Sequence, residues 1–142
     1  MPNGISQESQ DLLIRLRESE ERYRALFDSI HEGFCVVEVL FDEGGKAVDY
    51  RFLKTNRVFE EQTGLVGAQG KWMRELAPAH EQYWFDIYGG VALTGEPVRF
   101  ENHASALGRW YDVYAFRVGR PEERNVAILF EDITHHKRDE QG

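Results

Sequence analysis

The apolar residues change period at Gly33, and that change constrains the fold more than any other feature of the chain. Before it, Leu12, Leu16, Ser19, Tyr23, Leu26 and Ile30 recur at alternating spacings of four and three, the pattern of a helix with one apolar seam. Glu18 precedes Arg22, and Glu20 precedes Arg24, at i,i+4, each pair adding a few tenths of a kcal/mol to the helix. Such a seam can pack on its own chain or zip with a second copy. Because the following segment holds apolar residues enough for a core, the expected partner is a second copy. Leu12, Leu16, Tyr23, Leu26 and Ile30 then form the dimer seam.

After Gly33 the runs become short, β-branched and aromatic. Phe34–Phe41 and Ala47–Thr55 flank Asp42-Glu43-Gly44-Gly45-Lys46 and predict a β-hairpin. Asn56 is placed to cap a short helix that Gly64 stops. Trp72, Met73 and Leu76 mark a further helical turn closed by Pro78. Ala79–Thr94 repeats Tyr83/Trp84, Ile87/Tyr88 and Val91 at helical spacing before Gly95 and Pro97. Gly89-Gly90 inside that helix costs about 1 kcal/mol per glycine relative to alanine, so close packing or a bend is expected there. Val98–Asn102, Arg109–Val118 and Val126–Ile133 complete the strands. The order predicts an α+β fold: a five-stranded antiparallel sheet with helices inserted between strands two and three, plus an N-terminal amphipathic helix. The expected divisions are 1–32 for the helix, 33–134 for the core and 135–142 for the start of an outgoing linker.

Composition narrows the function. With 17 basic and 25 acidic residues the net charge is −8, the wrong sign for a bulk nucleic-acid or anionic-membrane binder. No run reaches the roughly 18 apolar residues of a membrane helix, and residues 1–11 lack a secretory pattern. The expected location is the cytoplasm, with no nucleic-acid or membrane partner. A single cysteine, Cys35, excludes an intrachain disulfide framework and a thiolate metal cage; no metal site is expected.

Several strings in this order resemble the PAS domain, the sensor module of bacterial histidine kinases and cyclic-di-nucleotide enzymes. Glu20 to Phe27 (ERYRALF after Glu20) is similar to the family's entry helix. Asn56-Arg57-Val58-Phe59-Glu60 with Thr63-Gly64 is similar to its turn and first short helix. Gly70 to Leu76 fits the next helix, Thr94-Gly95-Glu96 the end of the long one, and Asp132-Ile133-Thr134 followed by His135-His136-Lys137-Arg138 the closing strand end. The resemblance covers Ser19 to Arg138. It implies a non-catalytic regulatory domain, most simply of a histidine kinase, whose sheet and long helix enclose a core able to hold a small molecule. It also implies that Asp132 and Thr134 relay the state of the sheet to a C-terminal effector outside this chain. Chemically, Asp132 can pair with a nearby base and Thr134 can cap the outgoing helix; an ordinary strand-to-helix junction needs the same residues.

Catalytic and cofactor patterns fail on spacing. Gly64 to Trp72 has the wrong glycine spacing for a phosphate loop and a tryptophan where Ser or Thr should hold magnesium. His80-Glu81 lacks the second histidine of a zinc helix, and His135-His136 are neighbours on a helix that share no face. The flavin photosensors of the family carry a reactive cysteine where this chain has Gly70-Lys71-Trp72-Met73-Arg74. Its haem binders carry a histidine where this chain has Trp84, with His80 one turn earlier at the helix start. Cysteinyl-flavin and haem chemistry therefore lack their residues, and the cofactor, whether a noncovalent flavin, a metabolite or none, stays open. Cys35 reads as a small buried hydrophobe.

The large aromatic residues define the expected pocket: Tyr50, Phe52, Trp84, Tyr88, Phe100, Trp110, Tyr114, Phe116 and Phe130, with Asn102 and Asp112 as polar groups. A closed core without ligand is the competing expectation, making the chain a constitutive dimerisation module. A small α+β isomerase with Asp112 as base is a third, though a salt-bridged structural Asp112 is the simpler reading.

Overall fold

The computed structural model describes residues 7–12, 14, 18 and 32–141. It divides into two units, 1–30 and 31–142. In the first, residues 7–12 are helical, Gln7 donates to the Asp11 carboxylate at 3.2 Å, and Leu12 and Ile14 are exposed. The other seam residues, Leu16, Tyr23, Leu26 and Ile30, lie outside the described residues.

The second unit opens with β1 (Gly33–Phe41) and β2 (Ala47–Thr55), followed by α1 (Arg57–Thr63), α2 (Met73–Leu76) and α3 (Gln82–Thr94). Then come β3 (Val98–Ala104), β4 (Arg109–Val118), a 3₁₀ turn (Pro121–Glu123), β5 (Asn125–Asp132) and α4 (Thr134–Gln141). The strands form one antiparallel sheet in the order β2-β1-β5-β4-β3, with α1, α2 and α3 entering the chain between strands two and three. The α+β architecture is the one the strand and helix order predicts.

Local chemistry explains the elements. In the β1–β2 turn the Asp42 carboxylate accepts from the N–H groups of Gly44 and Lys46, each at 2.9 Å. Asn56 caps α1 by accepting from Phe59 N–H at 3.0 Å, and it does more. The same oxygen accepts from Phe34 N–H, and its amide donates to the Glu32 carbonyl, both at 3.0 Å. One buried side chain thus pins α1 to the start of β1. The long helix begins at Gln82 rather than Ala79, because residues 79–81 turn to bury His80. At Gly89 an added Cβ would lie 2.7 Å from the Ala47 Cβ and 3.2 Å from the Phe41 ring. The close approach expected at Gly89-Gly90 therefore belongs to the first glycine, which lets α3 sit down on the β1–β2 hairpin.

The core lies between the sheet and α1–α3. Phe59, Phe85, Met73, Val37, Val91, Val113 and Val126 are its largest fully buried side chains. Its rings meet edge-on, with Tyr50–Phe52 and Tyr50–Tyr88 centroids at 5.5 Å and Phe52–Phe59 at 5.1 Å, the arrangement aromatic quadrupoles favour.

Candidate functional site

The core holds a partly open cavity of about 50 Å³. Five of the aromatic residues expected in a pocket line it: Tyr50 and Phe52 from β2, Trp84 and Tyr88 from α3, and Phe130 from β5. The rest do not. Phe100 backs Trp84 with ring centroids 5.6 Å apart, outside the lining. Asn102 is half-buried on β3 and accepts from the N–H of His103 at 2.9 Å. Trp110, Asp112, Tyr114 and Phe116 lie on the other face of the sheet. The correction has a simple cause. Strand side chains alternate, and in β4 the buried set is Tyr111, Val113 and Ala115. The larger rings occupy the outer face, where Tyr114 is 41% exposed. Asp112 in mid-strand carried the signal, because an ionised carboxylate does not belong on the core side. It accepts from the exposed Arg99 guanidinium at 3.2 Å, the structural ion pair rather than a base in the pocket.

Spacing alone did not reveal two contributors. Tyr111 lines the cavity, and its hydroxyl donates to the Gln62 carbonyl at 2.7 Å. His80, expected at the helix start, is 4% exposed and stacks on Trp84, with centroids 5.4 Å apart and planes 14° apart. Its carbonyl accepts from Arg74 at 2.6 Å, and that guanidinium lies 3.8 Å over the Phe85 ring.

The chemistry of this cavity is neutral. Burial pushes the Cys35 thiol and the Tyr50 and Tyr88 hydroxyls well up, and burial against a nearby Arg109 leaves Tyr111 at about 12. Burial lowers His80 to about 4, with Glu81 opposing and Arg74 adding to the shift. No lining side chain is ionised at neutral pH. Several are polar and unsatisfied: His80 Nδ1 and Trp84 Nε1 have no hydrogen-bond partner among the described residues, and neither have the Tyr50 and Tyr88 hydroxyls. The Glu81 carboxylate approaches His80 Nδ1 only to 4.0 Å. Flavin and haem do not fit, because cofactor-sized ligands occupy pockets of roughly 300–1,000 Å³. Among the described residues no cluster of His, Cys, Asp or Glu could hold a metal ion, and no helix is long and apolar enough to cross a membrane.

The second part of the site is the junction between β5 and α4. Asp132 Oδ1 accepts from Thr134 N–H at 2.9 Å and from its hydroxyl at 2.5 Å. The Thr134 hydroxyl oxygen accepts from Trp110 N–H at 2.9 Å. The helix start is thus capped by Asp132, the role expected for Thr134, while Thr134 ties α4 sideways to β4. Arg109 is the nearby base, 3.9 Å from Asp132 Oδ2. Gln62 closes the circuit: its side-chain oxygen accepts from Asp132 N–H at 2.7 Å, and its carbonyl receives Tyr111. Lys137 of α4 pairs with Glu101 of β3 at 2.7 Å and lies 5.4 Å over Trp110.

A family model described as "PAS domain" matches residues 21–101. Among solved structures, the PAS domain of an HTR-like protein from Haloarcula marismortui superposes with a TM-score of 0.57 at 18% identity, covering 87% of this chain and 99% of that one. A sensory box sensor histidine kinase from Vibrio cholerae gives 0.52 at 18% identity, covering 92% and 98%. A LOV protein from Rhodobacter sphaeroides gives 0.56 at 19%, covering 82% and 68%. These likenesses are of fold. No curated protein matches the chain.

Proposed function

The chain belongs to the PAS domain family, and from that premise we propose that it is the sensory module of a cytoplasmic bacterial signalling protein, a histidine kinase being the parent that fits best. Occupancy of the core cavity shifts the population between two packings of the sheet, and α4 carries the difference to a C-terminal effector. The N-terminal helix pairs with that of a second copy. The domain performs no catalysis of its own.

The observation that carries this reading is the short route from cavity to exit helix. Tyr111 lines the cavity and bonds to Gln62, Gln62 bonds to Asp132, and Asp132 caps α4 through Thr134. Two residues separate the cavity wall from the first turn of α4.

Hydrogen exchange tests it. Thr134→Val removes the hydroxyl's bonds to Trp110 N–H and to the Asp132 carboxylate, worth about 1–2 kcal/mol together, leaves the backbone bond to Asp132, and should speed exchange across 134–141 by about tenfold while β1 and β5 stay protected. Ala104→Leu places a larger side chain into the cavity wall and should change exchange in the same segment. If filling the cavity leaves 134–141 unchanged where Thr134→Val alters it, the coupling is absent. The small cavity favours the competing constitutive dimerisation module, and that result would support it.

A further inference from the structure

We infer that the core cavity takes an electrically neutral ligand of only a few heavy atoms, carrying an amide, carbonyl or hydroxyl group that hydrogen-bonds to Tyr50 and Tyr88. The inference rests on the sensory reading and names the ligand class of the same site. Three independent observations converge on it.

Size is the first. About 50 Å³ is several times the ~10–15 Å³ needed by one water molecule and far below the space that a fused-ring cofactor occupies. Charge is the second. The lining contains no Asp, Glu, Lys or Arg, and its titratable groups, His80 and Cys35 included, are held neutral by burial. An ionic ligand would lose its hydration shell and meet no counter-charge. Polarity is the third. The cavity is not greasy throughout: the Tyr50 and Tyr88 hydroxyls lack partners among the described residues. Buried polar groups are normally satisfied, so an occupant able to both accept and donate hydrogen bonds supplies what these two side chains miss. A pure hydrocarbon of the same size would leave them unmet.

Propionamide and propionate are near-isosteric probes that differ in charge at pH 7. The Trp84 indole N–H in a ¹H–¹⁵N spectrum, with the Met73 methyl group as a second reporter in the same lining, reads occupancy directly. Propionamide should shift both signals saturably, and propionate at the same concentration should shift neither. Tyr50→Phe combined with Tyr88→Phe should weaken propionamide by about tenfold or more, from two lost hydrogen bonds. The amide-versus-acid comparison uses the unaltered protein and does not depend on how the variant folds. Equal binding of propionate, or no response to either probe up to saturating concentration, overturns the proposal. Propionamide binding with no change in exchange across 134–141 would instead overturn the sensory coupling while leaving the ligand class standing.

Discussion

His80 shows how one side chain links the cavity to the stability of the whole fold. Burial against Trp84 and Phe85 lowers its folded-state value from 6.5 to about 4. Between those values the unfolded chain binds a proton that the folded chain refuses, so stability is lost as the pH falls through this window. At pH 5 the loss from this residue is about 2 kcal/mol relative to pH 7. Urea titrations at pH 7 and pH 5 should show that loss in the wild type and not in His80→Gln, whose amide cannot take up the proton. Equal slopes in both proteins would mean that other groups set the acid limit. The burial was not legible in the sequence. A histidine after Pro78-Ala79 reads as a surface position in any pattern based on spacing, and only the stack on Trp84, one helical turn later, draws it inside.

At the scale of elements, α3 separates two glycines that look alike in the sequence. A Cβ at Gly89 would lie closer to the Ala47 Cβ than Cβ atoms come and tight against the Phe41 ring, whereas Gly90 meets nothing within 4 Å. Gly90→Ala should therefore stabilise the domain by about 0.5–1 kcal/mol through helix propensity. Gly89→Ala should destabilise it by about 1–3 kcal/mol through overpacking. Opposite shifts in the urea midpoint are the expected result, and shifts of the same sign would contradict the close approach of α3 to the hairpin. The strand β4 shows the complementary limit of pattern reading. Its existence and length follow from an alternating run between Gly108 and Gly119. Its parity does not follow from ring size, because Tyr111, Val113 and Ala115 make the inner face while bulkier rings lie outside. Apolar size ranks the two faces one way and the Asp112 charge ranks them the other; the charge is the stronger constraint, since burying it costs more than exposing a ring contributes.

At the scale of the whole molecule, the number of strands was legible because turn chemistry punctuates them, whereas the pairing of β1 with β5, which leaves β2 and β3 at the edges, has no local signal. What spacing could not supply is the long-range circuit from Tyr111 through Gln62 to Asp132, which joins residues 49 and 70 positions apart. Association is governed by a different balance. In the dimer proposed above, two copies would each bring a net charge of −8, so apolar contact between Leu12, Leu16, Tyr23, Leu26 and Ile30 would have to overcome like-charge repulsion. Salt shortens the range of that repulsion from about 10 Å at 0.1 M to about 3 Å at 1 M and leaves apolar burial intact. Dimerisation through the seam should therefore tighten as salt rises, by several-fold between low and high ionic strength, where a dimer held by surface ion pairs would loosen. Light scattering across a dilution series in both salts measures this. Leu16→Asp combined with Tyr23→Asp should be monomeric in either, and a dimer that survives the double substitution would place the contact on another surface.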